Sequence, residues 1–203
     1  TAPLTETMPL TDAGRKPAAR AAVTQLWQDA AAAGKVRFAA LRAPDFYGPG
    51  TPLSQLGDMA FGALARGKAA QLVLPPDTPH DFAYVPDIAR AILLLLDAPD
   101  SDFNQVWHMP SAPTQTPRQI LALAQPAPRI HAVPLALLPL LGLVVPFLRE
   151  LAEMRFQFDR PYTVDASRFA RRFNFVPTPF AVGVRETAAA FAQSAPVPKL
   201  VTA

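Results

Sequence analysis

Few residues in this chain could do chemistry, and their spacing is informative. Lys16 and Arg20 stand four apart, so on a helix both cations share one face, as a solvated basic strip or as an anion contact. Asp45 and Tyr47 lie inside "LRAPDFYGPG", residues 41–50, where an apolar run meets a Gly-Pro-Gly break. That break is either an ordinary strand stop or the end of a strand at which a ligand sits. "HDFAYVPD", residues 80–87, supplies a further phenol and carboxylate, Tyr84 and Asp87. His80, His108 and His131 share no spacing with one another or with a carboxylate motif, which argues against a metal site. No serine occupies a strand–turn–helix setting that would expose it as a nucleophile. With no cysteine there is no thiolate nucleophile, disulfide framework or cysteine-ligated zinc, a composition that fits a cytoplasmic protein.

These groups need rigid elements behind them. Pro17 suits a first helical turn, alanines with Val23, Leu26 and Trp27 at helical spacing continue it, and Gly34 ends a helix over 17–33. "VRFAALRA", 36–43, is mostly apolar, as in a strand covered on both faces. A helix is expected over 53–68 despite its glycines, then short strands in "AQLVLPP" and "HDFAYVP" around a Pro-Asp turn. Pro86 opens a helix that Pro99 closes, with Asp87 as its N-terminal cap. Further strands are expected in "NQVWHMPS" and "RIHAVP", and helices after Thr116, in "TVDASRFARRF" and in "TPFAVGVRETAAAFAQ". Strands alternating with helices predict an α/β fold, and no internal repeat is present.

The chain's 203 residues, half of them hydrophobic and 17% charged, suffice for a substantial buried core. Its 24 prolines are scattered and mark turns, not a polyproline segment. A net charge of +3 spread along the chain makes no basic stripe, which argues against a nucleic-acid partner. Residues 132–148 form an uncharged run of 17, near the short limit of a membrane span. Pro134, Pro139 and Pro146 interrupt it, so a buried or lid-forming helix over a substrate pocket is favoured over a transmembrane one. Such a wall suits a small-molecule substrate with an apolar portion.

Two motifs in order carry a resemblance. Arg42, Asp45, Phe46, Tyr47, Gly48, Pro49 and Gly50 are followed about 30 residues later by Asp81, Phe82, Tyr84, Val85 and Asp87. Together they resemble the extended short-chain dehydrogenase/reductases, the NAD-dependent epimerase/dehydratase family. "RELAEMRFQFDRPYTVDASRFARRFNFVPTPF" is similar to the tail of a divergent branch. The resemblance implies the C-terminal part of a Rossmann-like parallel sheet with a small mixed α/β substrate lobe. Residues 1–50 would be the remainder of the NAD(P)-binding domain, and 51–203 the substrate lobe, with 86–110 returning to the sheet. It also implies NAD or NADP as cofactor and a homodimer through the helix at 17–33.

The departures from the family are as informative. The glycine-rich fingerprint G-x-x-G-x-x-G is absent, as in a chain without its N-terminal βαβ half. The family's Tyr-x-x-x-Lys falls on Lys16 to Arg20 in one register and on Asp12 to Lys16 in another, and neither contains a tyrosine. Lys16 and Arg20 would then take the places of that pair and contact ribose hydroxyls or phosphate. The family pattern further implies Pro44, Asp45 and Phe46 beside the nicotinamide, and Asp45, Tyr47 and Tyr84 toward substrate. A proton donor would have to come from outside the tetrad.

Overall fold

The computed structural model describes residues 2–11, 14–137, 143–144, 149, 152 and 154–194. Helix α1 (Arg15–Ala32) precedes β1 (Ala39–Arg42) and β2 (Asp45–Tyr47). A π-helical segment (Gly57–Gly62), α2 (Ala63–Ala65), β3 (Ala70–Leu72) and β4 (Phe82–Tyr84) follow, and β4 runs directly into α3 (Val85–Leu96). Then come β5 (Gln105–His108), α4 (Pro117–Ala122), β6 (Ile130–Ala132), α5 (Ser167–Phe173) and α6 (Phe180–Gln193). The strands form three parallel pairs: β1 with β5, β2 with β4, and β3 with β6. Parallel neighbours joined through helices are the α/β arrangement that the alternating sequence pattern predicts.

The two strands at 39–47 show how the chain runs through "LRAPDFYGPG". β1 pairs from Ala39↔Gln105 to Arg42↔His108, and the chain then leaves that pair at Ala43-Pro44. It re-forms as β2, pairing from Asp45↔Phe82 to Tyr47↔Tyr84. Proline has no N–H to give to a ladder, so a change of partner at Pro44 leaves no donor unpaired there. The reversal comes later, at Gly50 (φ +75°), after Gly48 (φ +150°), where a Cβ would lie 3.3 Å from that of Val85.

Other expectations change in detail. The helix expected over 53–68 is confined to 57–65 and is π-helical over Gly57–Gly62, with the Phe61 amide donating to the Leu56 carbonyl at 3.2 Å. β1 is half-buried at all four residues, not covered on both faces. Among the described residues it pairs only with β5, and α1 buries only Ala31. Val23, Leu26 and Trp27 accordingly face outward, 55%, 66% and 46% exposed. Asp87 does not cap its helix: from the first turn of α3 it reaches across to Thr178. Thr116 and Gln119 do form a reciprocal capping box that starts α4.

Two apolar clusters hold these elements. One gathers Trp107, Met109, Ala91 and Leu95 with Phe169 and Phe175 around β5, α3 and α5. Trp107 meets Phe169 edge-on at 5.9 Å between ring centroids and donates its indole N–H to the Asp102 carbonyl. The other packs Tyr47, Phe61, Leu72, Phe82, Tyr84, Ile120, Phe180 and Val184 between β2–β4, α4 and α6. Of the apolar run 132–148, residues 138–142 and 145–148 lie outside the described residues, and so does the lid or span expected of it. Among the described residues no helix is long and apolar enough to cross a membrane.

Candidate functional site

β1 and β5 both end at one cavity, of about 730 Å³. Arg42, Ala43 and Pro44 line it from the end of β1, and His108 from the end of β5. Its other walls are the segments 2–11 and 156–164, joined by Leu4, which donates to the Thr163 carbonyl and accepts from the Asp165 amide, both at 2.8 Å. Leu4, Met8, Leu10, Phe156, Tyr162 and Val164 make most of the surface apolar. In parallel α/β sheets the carboxyl ends of the strands are where ligands bind.

Behind the cavity stands a pair that sequence spacing does not reveal. His80, 2% exposed, donates from Nε2 to Oδ2 of Asp45 at 2.9 Å across a sequence gap of 35. Its ring lies between Tyr162 (4.8 Å between centroids, 19°) and Phe82 (4.8 Å, 41°). Asp81 accepts from the Thr114 hydroxyl at 2.6 Å and from the Val164 amide at 2.8 Å, and its own N–H donates to the Tyr162 carbonyl. Residues 80–81 therefore hold the wall at 162–164 in place. Burial, with Asp45 and Asp81 nearby, pushes the Tyr162 phenol up to about 12, so it keeps its proton at neutral pH. Burial pulls His108 below its ordinary value, and its Nδ1 faces the Asp165 carbonyl at 3.2 Å.

The residues singled out from sequence do not converge on the cavity as a set. Pro44 lines it, Asp45 is turned to His80, and Phe46, on the opposite face of β2, is 43% exposed. Lys16 and Arg20 are exposed in the first turns of α1 and do not line it; Asp12 lies outside the described residues. Tyr47 and Tyr84, expected toward substrate, pack in the core instead, 1% and 5% exposed with ring centroids 5.3 Å apart. The Tyr84 phenol donates to Oε2 of Glu186 at 2.5 Å, and burial together with that carboxylate raises its pKa. The Tyr47 hydroxyl is buried without a partner among the described residues, and burial raises its pKa too. It points at Gly183, where a Cβ would lie 2.5 Å from it. Aromatic packing across the β2–β4 pair thus decides where both phenols go.

Tyr162 and the segment 2–11 carry no local signal in the sequence, and His108 is weighed there only as a metal ligand, because all three reach the cavity through long-range contacts. The one local signal was His80 immediately before Asp81. Among the described residues no group of three His, Asp or Glu could hold a metal ion.

No curated protein matches the chain significantly. Solved structures do. The dTDP-glucose 4,6-dehydratase of Bacillus anthracis, in complex with NAD, superposes with a TM-score of 0.70 at 18% identity over 94% of this chain and 56% of its own. The UDP-glucuronic acid 4-epimerase of Bacillus cereus, in complex with UDP-glucuronic acid and NAD, gives 0.69 at 12% identity, over 95% of this chain and 57% of its own. The NAD complex of UDP-glucose 4-epimerase from Thermus thermophilus gives 0.64 at 17% identity, over 95% and 60%. The chain thus spans under two thirds of the length of these neighbours, and at such identities the likeness is one of Rossmann-like fold. Residues 3–108, which hold β1, β2, β4, α3, β5 and both sequence motifs, match the profile of the NAD dependent epimerase/dehydratase family. With more than half its length matched and both motifs in place, the chain belongs to that family.

Proposed function

We propose that this chain supplies the nicotinamide-side wall and the substrate side of an NAD(P)-dependent oxidoreductase site. The observation that carries this reading is the cavity beyond the carboxyl ends of β1 and β5, with Ala43 and Pro44 in its wall. Its apolar surface and the flat Pro44 side fit the nicotinamide end of the cofactor, whereas the sequence holds no glycine-rich turn for the pyrophosphate. When bound, the nicotinamide exchanges a hydride with a carbinol or ketone carbon of a small molecule. In this reading Pro44, Asp45 and Phe46 pass the ring through backbone groups, and His80 fixes the direction of the Asp45 carboxylate. Tyr47 and Tyr84 shape the floor from behind, and Lys16 and Arg20 meet ribose or phosphate. Homodimerisation through α1, whose Val23, Leu26 and Trp27 face outward, is part of the same proposal, as is a cytoplasmic location.

A second reading is a dinucleotide-binding protein without catalysis. It is supported by the lack of a phenol in either register of the tetrad. Titration of the full-length gene product with NADH and NADPH, read by nicotinamide fluorescence, tests both. No binding of either cofactor rejects both readings. Binding without turnover over a panel of alcohols and ketones favours the second. Unchanged cofactor affinity in Lys16→Ala and Arg20→Ala removes those residues from the site.

A further inference from the structure

The cavity walls also bear on the class of molecule they accept. Two guanidinium groups line it, and they differ in their partners. Arg160 is held in a fork by Asp159, at 2.6 and 3.2 Å. The Arg42 side chain makes no hydrogen bond or ion pair among the described residues, although Glu6 acts on it at longer range. Arg42 is half-buried at the end of β1, and burial weakens its hold on its proton. Among the described residues no carboxylate lines the cavity itself, the Glu6 carboxylate standing beside it, where it accepts from the His108 amide at 3.4 Å, and Met8, Leu10, Phe156 and Tyr162 are apolar or aromatic. A cation partly removed from water gains from an anion that brings a second charge-assisted partner. A polyhydroxylated body would leave much of its hydrogen bonding unmet on such walls.

We infer that this cavity takes a small aromatic or branched apolar molecule bearing one anionic group, its body against Met8, Leu10, Phe156 and Tyr162 and its anion at Arg42. This rests on the proposed function in that it names the substrate class of the same site.

The test uses this chain and three probes in calorimetric titrations: trans-cinnamate, its neutral isostere cinnamamide, and UDP-glucose. Cinnamate should bind about tenfold or more tightly than cinnamamide, the discrimination expected of one charge-assisted contact. Arg42→Met should abolish that preference, Arg42→Lys should restore part of it, and Leu10→Glu should weaken both aromatic probes. Equal binding of cinnamate and cinnamamide, no binding of cinnamate, or tighter binding of UDP-glucose overturns the inference. Cooperative urea unfolding of each variant shows that any loss is not one of folding. NADH titrated separately into the full-length product keeps the two proposals apart. Cinnamate bound without NADH leaves the cavity assignment standing and rejects the cofactor reading, and the reverse result rejects only the ligand class.

Discussion

Replacing Gly183 with alanine tests the packing that buries Tyr47. In an open helix such a change stabilises by about 1 kcal/mol, because alanine loses less backbone entropy than glycine. At this position the new Cβ would lie 2.5 Å from the Tyr47 hydroxyl and 3.1 Å from both Tyr47 Cζ and Tyr84 Cδ2. Overpacking of this kind costs about 1–3 kcal/mol, which outweighs the helical gain, so Gly183→Ala should destabilise by about 1–2 kcal/mol. Tyr47→Phe removes a hydroxyl that is buried without a partner among the described residues. Because an unmet buried polar group costs about 1–3 kcal/mol, that variant should be stabilised by about 1 kcal/mol. Its ring still packs on Tyr84 and Phe180, at 5.3 and 5.5 Å between centroids. In the double variant the closest overlap is gone and the two 3.1 Å contacts remain. Its stability should therefore exceed the sum of the single effects by about 1 kcal/mol or more. Urea unfolding measures the cycle, and thermal midpoints should move by about 2–4 °C per kcal/mol. Additivity within about 0.5 kcal/mol would refute the placement of the hydroxyl against Gly183.

Asp87 accepts from the Thr178 amide at 2.6 Å, the Thr178 hydroxyl at 2.8 Å and Arg90 at 2.9 Å. Asp87→Ala should cost about 2–4 kcal/mol in urea unfolding and Thr178→Val only about 1 kcal/mol. Asp81→Asn turns one of two satisfied acceptors into a donor facing a donor. It should cost about 1–3 kcal/mol and speed hydrogen exchange at the Val164 amide. His108 binds its proton more weakly folded than unfolded, where its ordinary value is 6.5. Its contribution to stability is complete above that pH and is lost as pH falls below it toward the lower folded value, a slope that His108→Gln should remove from unfolding measured across that window.

The parallel strands and long helices were legible because hydrophobic patterning and proline punctuation are local. Pro86 and Pro99 bracket α3, and Thr116 followed by Pro117 announces α4. β2 was not legible, since three residues after a proline carry no period and their order comes from pairing with β4. The spacing of Lys16 and Arg20 placed them on one face but gave no indication of where that face looks. The wall residues Leu4, Met8 and Tyr162 come from opposite ends of the sequence and meet through the Leu4 bridge to Val164. Asp45 and His80 each belong to a legible stretch of sequence, but their contact depends on how β2 pairs with β4.

The change of partner at Pro44 has a mechanical consequence. β1 passes into β2, β2 is bonded to β4, β4 runs into α3, and α3 leads to β5, which is bonded back to β1. The backbone and its ladders thus close a ring on the inner side of the cavity. A ring cannot be stretched at one joint without loading the others, so a ligand that presses on Ala43-Pro44 strains the junction of Tyr84 and Val85 as well. The amides of β1, β2, β4 and β5 should accordingly exchange with solvent as one cooperative unit, with Pro44 as its stiffest corner.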